Sequence, residues 1–80
     1  MKVKIVYSDQ CPHCIDLLNK LKAQEGIPDM EIEYVELGSA EAAEIIKSNN
    51  INDIPAVVSE TNVSCKVEYF NSKVEIICPD

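Results

Sequence analysis

Basic residues are scarce in this chain. Seven lysines and no arginine stand against 14 acidic residues, giving a formal charge of −7. No lysine cluster is present to neutralise phosphates, which argues against nucleic-acid binding. Long apolar runs are missing too, and none approaches the roughly 18–20 residues of a membrane span. The opening Met1-Lys2-Val3-Lys4-Ile5-Val6-Tyr7-Ser8 has the superficial look of a secretory leader. Its apolar run is only three or four residues long, however, against about 7–15 for such a segment, and no small-residue cleavage site follows. The expectation is a cytoplasmic protein. Repeats, linkers and low-complexity segments are also absent. The 80 residues therefore read as one domain, 1–80, with a modest core and little stability to spare. Apolar content of 46% and charged content of 26% are those of a globular chain and not a disordered one.

Cysteine, by contrast, is abundant, with four in 80 residues. In a secreted chain that count suggests a disulfide scaffold, and in a cytosolic one catalysis or metal. Spacing has to decide, and spacing needs the surrounding elements. Residues 3–7 are β-branched and aromatic and predict a largely buried strand. After the polar loop Ser8-Asp9-Gln10, Cys11-Pro12 opens a helix, since proline suits the first helical position. Ile15, Leu18 and Leu21 recur at helical spacing with Leu17 flanking them. Gly26 supplies the stop and Pro28 blocks continuation. A second strand is expected over 31–37. Ser39 caps a second helix over 40–49, with Ile45 and Ile46 on its buried side. Ala56-Val57-Val58 makes a third strand. The order β-α-β-α-β implies parallel strands with helices packed on the sheet.

The C-terminal region alternates. Val63, Cys65, Val67 and Tyr69 interleave with polar residues, as do Val74, Ile76 and Cys78, apart from Ile77. Only Asn71-Ser72 separates the runs, and two residues are the preferred length of a hairpin turn. Pairing Phe70 with Lys73 sets Tyr69 opposite Val74, Val67 opposite Ile76 and Cys65 opposite Cys78. Close antiparallel pairs bring Cα atoms to about 4.5 Å, within reach of a disulfide. Cys65 and Cys78 are thus candidates for a structural disulfide, or else small buried hydrophobes. Ser72-Lys73-Val74-Glu75 also fits a capping box, so a very short helix competes with the last strand, although Val-Glu-Ile-Ile favours the strand.

Cys11-Pro12-His13-Cys14 is a C-x-x-C placed after a strand and at the start of a helix. Free backbone N–H groups and the positive end of the helix dipole favour thiolate over thiol there. Thiolate is the species that attacks a disulfide. Cys11 is expected to be the exposed nucleophile. Cys14, three residues on and deeper, resolves the mixed disulfide. Pro12 holds the turn into the helix, and His13 can hydrogen-bond or place positive charge beside the sulfur. The rival chemistry is metal binding or metallochaperone use of the same thiols. Cys11, His13 and Cys14 supply at most three neighbouring ligands, and structural zinc wants four. No metal or other cofactor is therefore expected.

With these residues in place, the chain resembles the thioredoxin-fold superfamily, and within it a small glutaredoxin or glutaredoxin-like thioredoxin. The likeness rests on the strand Lys4-Ile5-Val6-Tyr7 leading into Cys11-Pro12-His13-Cys14, on Ile51-Asn52-Asp53-Ile54-Pro55-Ala56-Val57-Val58, and on the gap from Cys11 to Pro55. It covers residues 1 to about 70. It implies a minimal thioredoxin-like α/β fold, β-α-β-α-β-β, with helices on both faces of a mixed sheet. It also implies a cis Ile54–Pro55 peptide beside Cys11, leaving the Ile54 backbone free to pair with an extended substrate. Ile54, Pro55 and Tyr7 become the substrate-binding candidates. The implied activity is thiol–disulfide exchange on a protein or small-molecule disulfide, with glutathione or a disulfide reductase as electron donor. Three departures stand out. Glutaredoxins carry a lysine shortly before the first cysteine, where this chain has Asp9. Their Gly-Gly and acidic glutathione-holding residue fall where this chain reads Tyr69-Phe70-Asn71-Ser72, so no clamp for glutathione carboxylates is evident. The family's final helix is replaced by the strand ending at Cys78. Its loss should expose apolar surface, and a weak homodimer or a partner-covered face is expected.

Overall fold

Val3, Ile5 and Val6 of β1 (Lys2–Tyr7) are wholly buried. A strand covered on both faces belongs inside a sheet. The computed structural model describes residues 1–79. β1 is followed by α1 (Pro12–Ala23), β2 (Glu31–Glu36), α2 (Ala40–Asn49), β3 (Ala56–Ser59), β4 (Ser64–Phe70) and β5 (Lys73–Ile77). The five strands form one mixed sheet in the order β2-β1-β3-β4-β5.

Only β1 and β2 run parallel, and the other neighbouring pairs are antiparallel. The expectation of parallel strands through the first three is corrected at β3, where Val3 lies opposite Ser59 and Val6 opposite Ala56. The connection explains the reversal. α2 has ten residues, about 15 Å of travel. Residues 50–55 then return the chain to the end of the sheet it had left, so β3 starts beside the end of β1.

Alternation along the strands divides the core into two layers. Val3, Ile5, Val57, Val74 and Ile76 pack with Leu17 and Leu21 of α1. Val6, Val35 and Val58 pack with Ala42 and Ile45 of α2 on the other face. On α1 the buried stripe is Cys14, Leu17 and Leu21, and Ile15 is 42% exposed, contrary to the expected face. Successive residues are about 100° apart around a helix, so a stripe that takes Cys14 inward turns Ile15 away. The helix closes when Gly26 N–H donates to Leu21 O at 2.8 Å, with Gly26 in the left-handed region at φ +80°. Ser39 Oγ accepts from the Ala42 N–H at 3.1 Å to cap α2, and Asn50, left-handed at φ 51°, ends it. Lys4 Nζ donates to Glu41 at 2.6 Å, and this bond holds the Lys4 ammonium above its usual range.

The last two strands form a hairpin with a two-residue turn. Asn71 and Ser72 both have positive φ, 48° and 69°, as a primed turn requires. Phe70 pairs with Lys73, Tyr69 with Val74 and Val67 with Ile76, the register counted from the turn. The last segment is a strand, not a short helix. A disulfide joins Cys65 to Cys78, with Cα atoms 4.3 Å apart. Gln24, the C-cap of α1, reaches across to β5. Its Nε2 donates to Val74 O at 3.0 Å and its Oε1 accepts from Val74 N–H at 2.7 Å. Lys20 Nζ lies 5.2 Å from the centre of the Tyr69 ring. Tyr69, Phe70 and Ile77 remain exposed. Among the described residues, no helix is long and apolar enough to cross a membrane.

Candidate active site

The local chemistry begins with a cap. Cys11 has extended backbone angles, φ −106° and ψ 109°, and occupies the N-cap of α1 with Pro12 directly after it. An N-cap side chain ordinarily offers an oxygen to a free N–H of the first turn. Here the acceptor is sulfur: the Cys14 N–H donates to Cys11 Sγ at 3.1 Å. The Cys11 N–H in turn donates to Ser8 O at 3.2 Å, which fixes the loop leading into the helix. A helix N-terminus favours negative charge on a group held there.

Cys14 lies on the inner side of the same turn and is fully buried, while Cys11 is half-buried. Both are free thiols. Burial pushes the Cys14 thiol up to about 11. A side-chain hydrogen bond with Cys11 and charge repulsion from that residue act in the same direction, and the Ser8 backbone opposes them. The two sulfurs therefore differ in access, with one open to a partner and one held beneath it as a neutral thiol.

The loop before β3 completes the site. The Ile54–Pro55 peptide is cis. Ile54 O lies 3.8 Å from Cys11 Sγ and accepts from it. Residues distant in the chain, Cys11 and Cys14 on one side and Ile54 and Pro55 on the other, thus share one end of the sheet. Both Ile54 and Pro55 are half-buried. Pro12 and His13 are exposed on the first turn of α1.

Tyr7 is placed differently. Its ring meets Tyr34 edge-on with centres 6.3 Å apart. The two tyrosines line an open groove with Leu18 and Leu21, on the β2 side of α1. A groove of about 610 Å³ lies near the hairpin turn, lined by Gln24, Ile27, Phe70 and Val74 and by neither free thiol. Cys65 and Cys78 belong to the hairpin and are half-buried against the α1-side core.

Sequence reasoning did not anticipate Gln24 or the Ser8 carbonyl. The Ser8 contact is made by its main-chain carbonyl, which no side-chain pattern marks. Gln24 carried no local signal. Among the described residues, no group of three or more His, Cys, Asp or Glu side chains is arranged to hold a metal ion. No family model matches the chain, and neither does any curated protein or solved structure.

Proposed function

We propose that this chain is a thiol–disulfide oxidoreductase of thioredoxin-like, glutaredoxin-like type, acting through Cys11 and resolved by Cys14. The observation that carries the reading is the stacked thiol pair. Cys11 Sγ sits at a helix start, accepting the Cys14 N–H at 3.1 Å, with Cys14 buried on the same turn. The Ile54 carbonyl at 3.8 Å adds support, because it offers main-chain polar groups beside the sulfur for an extended substrate.

The reaction runs in two steps. Cys11 thiolate attacks one sulfur of the substrate disulfide, forming a mixed disulfide and releasing one substrate thiolate. Cys14 then loses its proton to solvent and attacks Cys11 Sγ. The Cys11–Cys14 disulfide forms, the second substrate thiolate leaves, and two electrons have passed to the substrate. Running the steps backwards oxidises a dithiol. Regeneration needs a dithiol reductase or glutathione, and a reducing, cytoplasmic setting suits the reductive direction.

The test is reduction of bis(2-hydroxyethyl) disulfide and of insulin, run in parallel with a dithiol reductant and with glutathione. Wild type is expected to exceed a free-thiol control. Cys11→Ser is expected to abolish the excess, and Cys14→Ser to accumulate a mixed disulfide on Cys11 detectable by mass. A Cys11 that resists alkylation at neutral pH in the folded protein would remove the assignment.

A further inference from the structure

Resting on the exchange reading above, we infer that the disulfides processed by this chain are carried on cationic partners, and that Asp9 and Asp53 set the preference. Three segments converge where Cys11 sits. The loop 8–11 follows β1, and Leu37 N–H donates to Tyr7 O at 2.7 Å, bringing the 37–39 turn alongside. The 50–55 loop arrives through the contact of Cys11 Sγ with Ile54 O at 3.8 Å. These segments contain Asp9 and Asp53 and no lysine. Glu36, at the end of β2 in register with Tyr7, adds a third carboxylate to the same end.

All three acids are exposed, and none makes an ion pair among the described residues. The lysines that do make ion pairs are committed elsewhere: Lys2 to Glu31 and Glu33, Lys4 to Glu41, Lys20 to Asp16 and Lys66 to Glu68. Asp9 is two residues from Cys11, a span of at most about 7 Å of backbone. Asp53 is bonded directly to Ile54, whose carbonyl touches the sulfur. Both residues thus belong to the segments that carry Cys11 and its Ile54 contact, and charges in water interact over roughly 10 Å at 0.1 M salt. His13 is the basic group nearest in sequence.

The consequence falls on the first chemical step. Cys11 thiolate attacks one sulfur of R–S–S–R, the S–S bond breaks, and R–S⁻ departs while the other half stays bonded to Cys11. An anionic R must be held against the carboxylates throughout. A cationic R is drawn in during encounter and neutralises them in the mixed disulfide. The acidic rim therefore selects amine-bearing or lysine-rich disulfides over carboxylate-bearing ones such as oxidised glutathione.

The experiment follows mixed-disulfide formation on Cys14→Ser at pH 8 with three small disulfides: cystamine (cationic), bis(2-hydroxyethyl) disulfide (neutral) and dithiodipropionate (anionic). Each rate is divided by that of a small free thiol under the same conditions. The normalised cationic-to-anionic ratio is expected to be about tenfold at low ionic strength, the scale of two exposed charges at close range in water, and to collapse in 0.5 M salt. Asp9→Asn with Asp53→Asn is expected to bring it to within about twofold of unity. A ratio near one, an anionic preference, or a ratio untouched by salt and by the paired substitution overturns the inference. Failure to react with all three disulfides removes the exchange reading itself, and this inference with it. Should Cys14→Ser not fold, wild-type Cys11 is titrated with cationic and anionic methanethiosulfonates, and the same ratio, salt response and loss on substitution are required.

Discussion

The two cysteine pairs of this small chain are held in opposite ways. Cys65 and Cys78 are 13 residues apart in sequence, face each other across two strands and are joined. Cys11 and Cys14 are three apart, share one helical turn and are both free. In the hairpin, strand pairing alone brings the sulfurs together, and both lie half-buried against apolar neighbours. At the helix start a backbone N–H is aimed at one sulfur, and packing seals the other. Proximity is common to both pairs. What separates the joined pair, a fastener, from the one proposed to exchange is inequality: Cys11 is half-buried and Cys14 fully buried, whereas Cys65 and Cys78 are alike in exposure.

Breaking the fastener gives the largest expected effect. Replacing both Cys65 and Cys78 with alanine opens a cross-link between residues 13 apart. Stability in urea should fall by about 3 kcal/mol, and the slope of the transition should rise as the unfolded chain loosens. Where the variant remains folded, exchange through Cys11 should persist; loss of both together would show the pairs to be one unit.

The pH dependence sharpens the contrast from the other side. The ordinary Cys14 thiol releases its proton near 9.0, and burial in the fold raises this to about 11. A raised value in the folded state means the contribution is whole below pH 9. It is lost as pH climbs toward 11, because the unfolded chain gives up the proton first. Relative to Cys14→Ala, wild type should lose up to about 1.4 kcal/mol per pH unit across that window. The bonded hairpin cysteines do not titrate, so the alanine pair should leave this difference intact. A flat difference between wild type and Cys14→Ala would mean that Cys14 is not sealed.

The smallest effect concerns what holds the hairpin besides sulfur. Gln24→Ala removes both hydrogen bonds to Val74 and a third to Gly26 O at 3.1 Å. A loss of about 1–2 kcal/mol is expected, with faster hydrogen exchange at the Val74 amide. Exchange at Val74 unchanged from wild type would show that the glutamine contributes nothing there.

Much of this architecture was legible because its signals are local. A two-residue turn between alternating runs determines every cross-strand pair out to Cys65 and Cys78. Cys11-Pro12 marks a helix start, and Ser39 caps the next. The direction of β3 was not legible, because it depends on the path of the 50–55 loop and not on any periodicity. The inward face of α1 departs from the apolar spacing at Ile15, because Cys14 packs as a small apolar side chain and turns Ile15 outward. Gln24 and Val74 are 50 residues apart, and no local pattern couples a helix C-cap to a particular strand residue.

The glutamine contact also bears on strand addition at the edge of the sheet. β5 is the last strand of the sheet, and its outer side is where a foreign strand would add. At Val74 both main-chain groups are already occupied by a side chain from within the molecule. An incoming strand would have to displace that amide before it could extend a ladder along the full length of β5. The β5 edge is thus blunted at Val74 against strand addition by a side chain of the molecule itself.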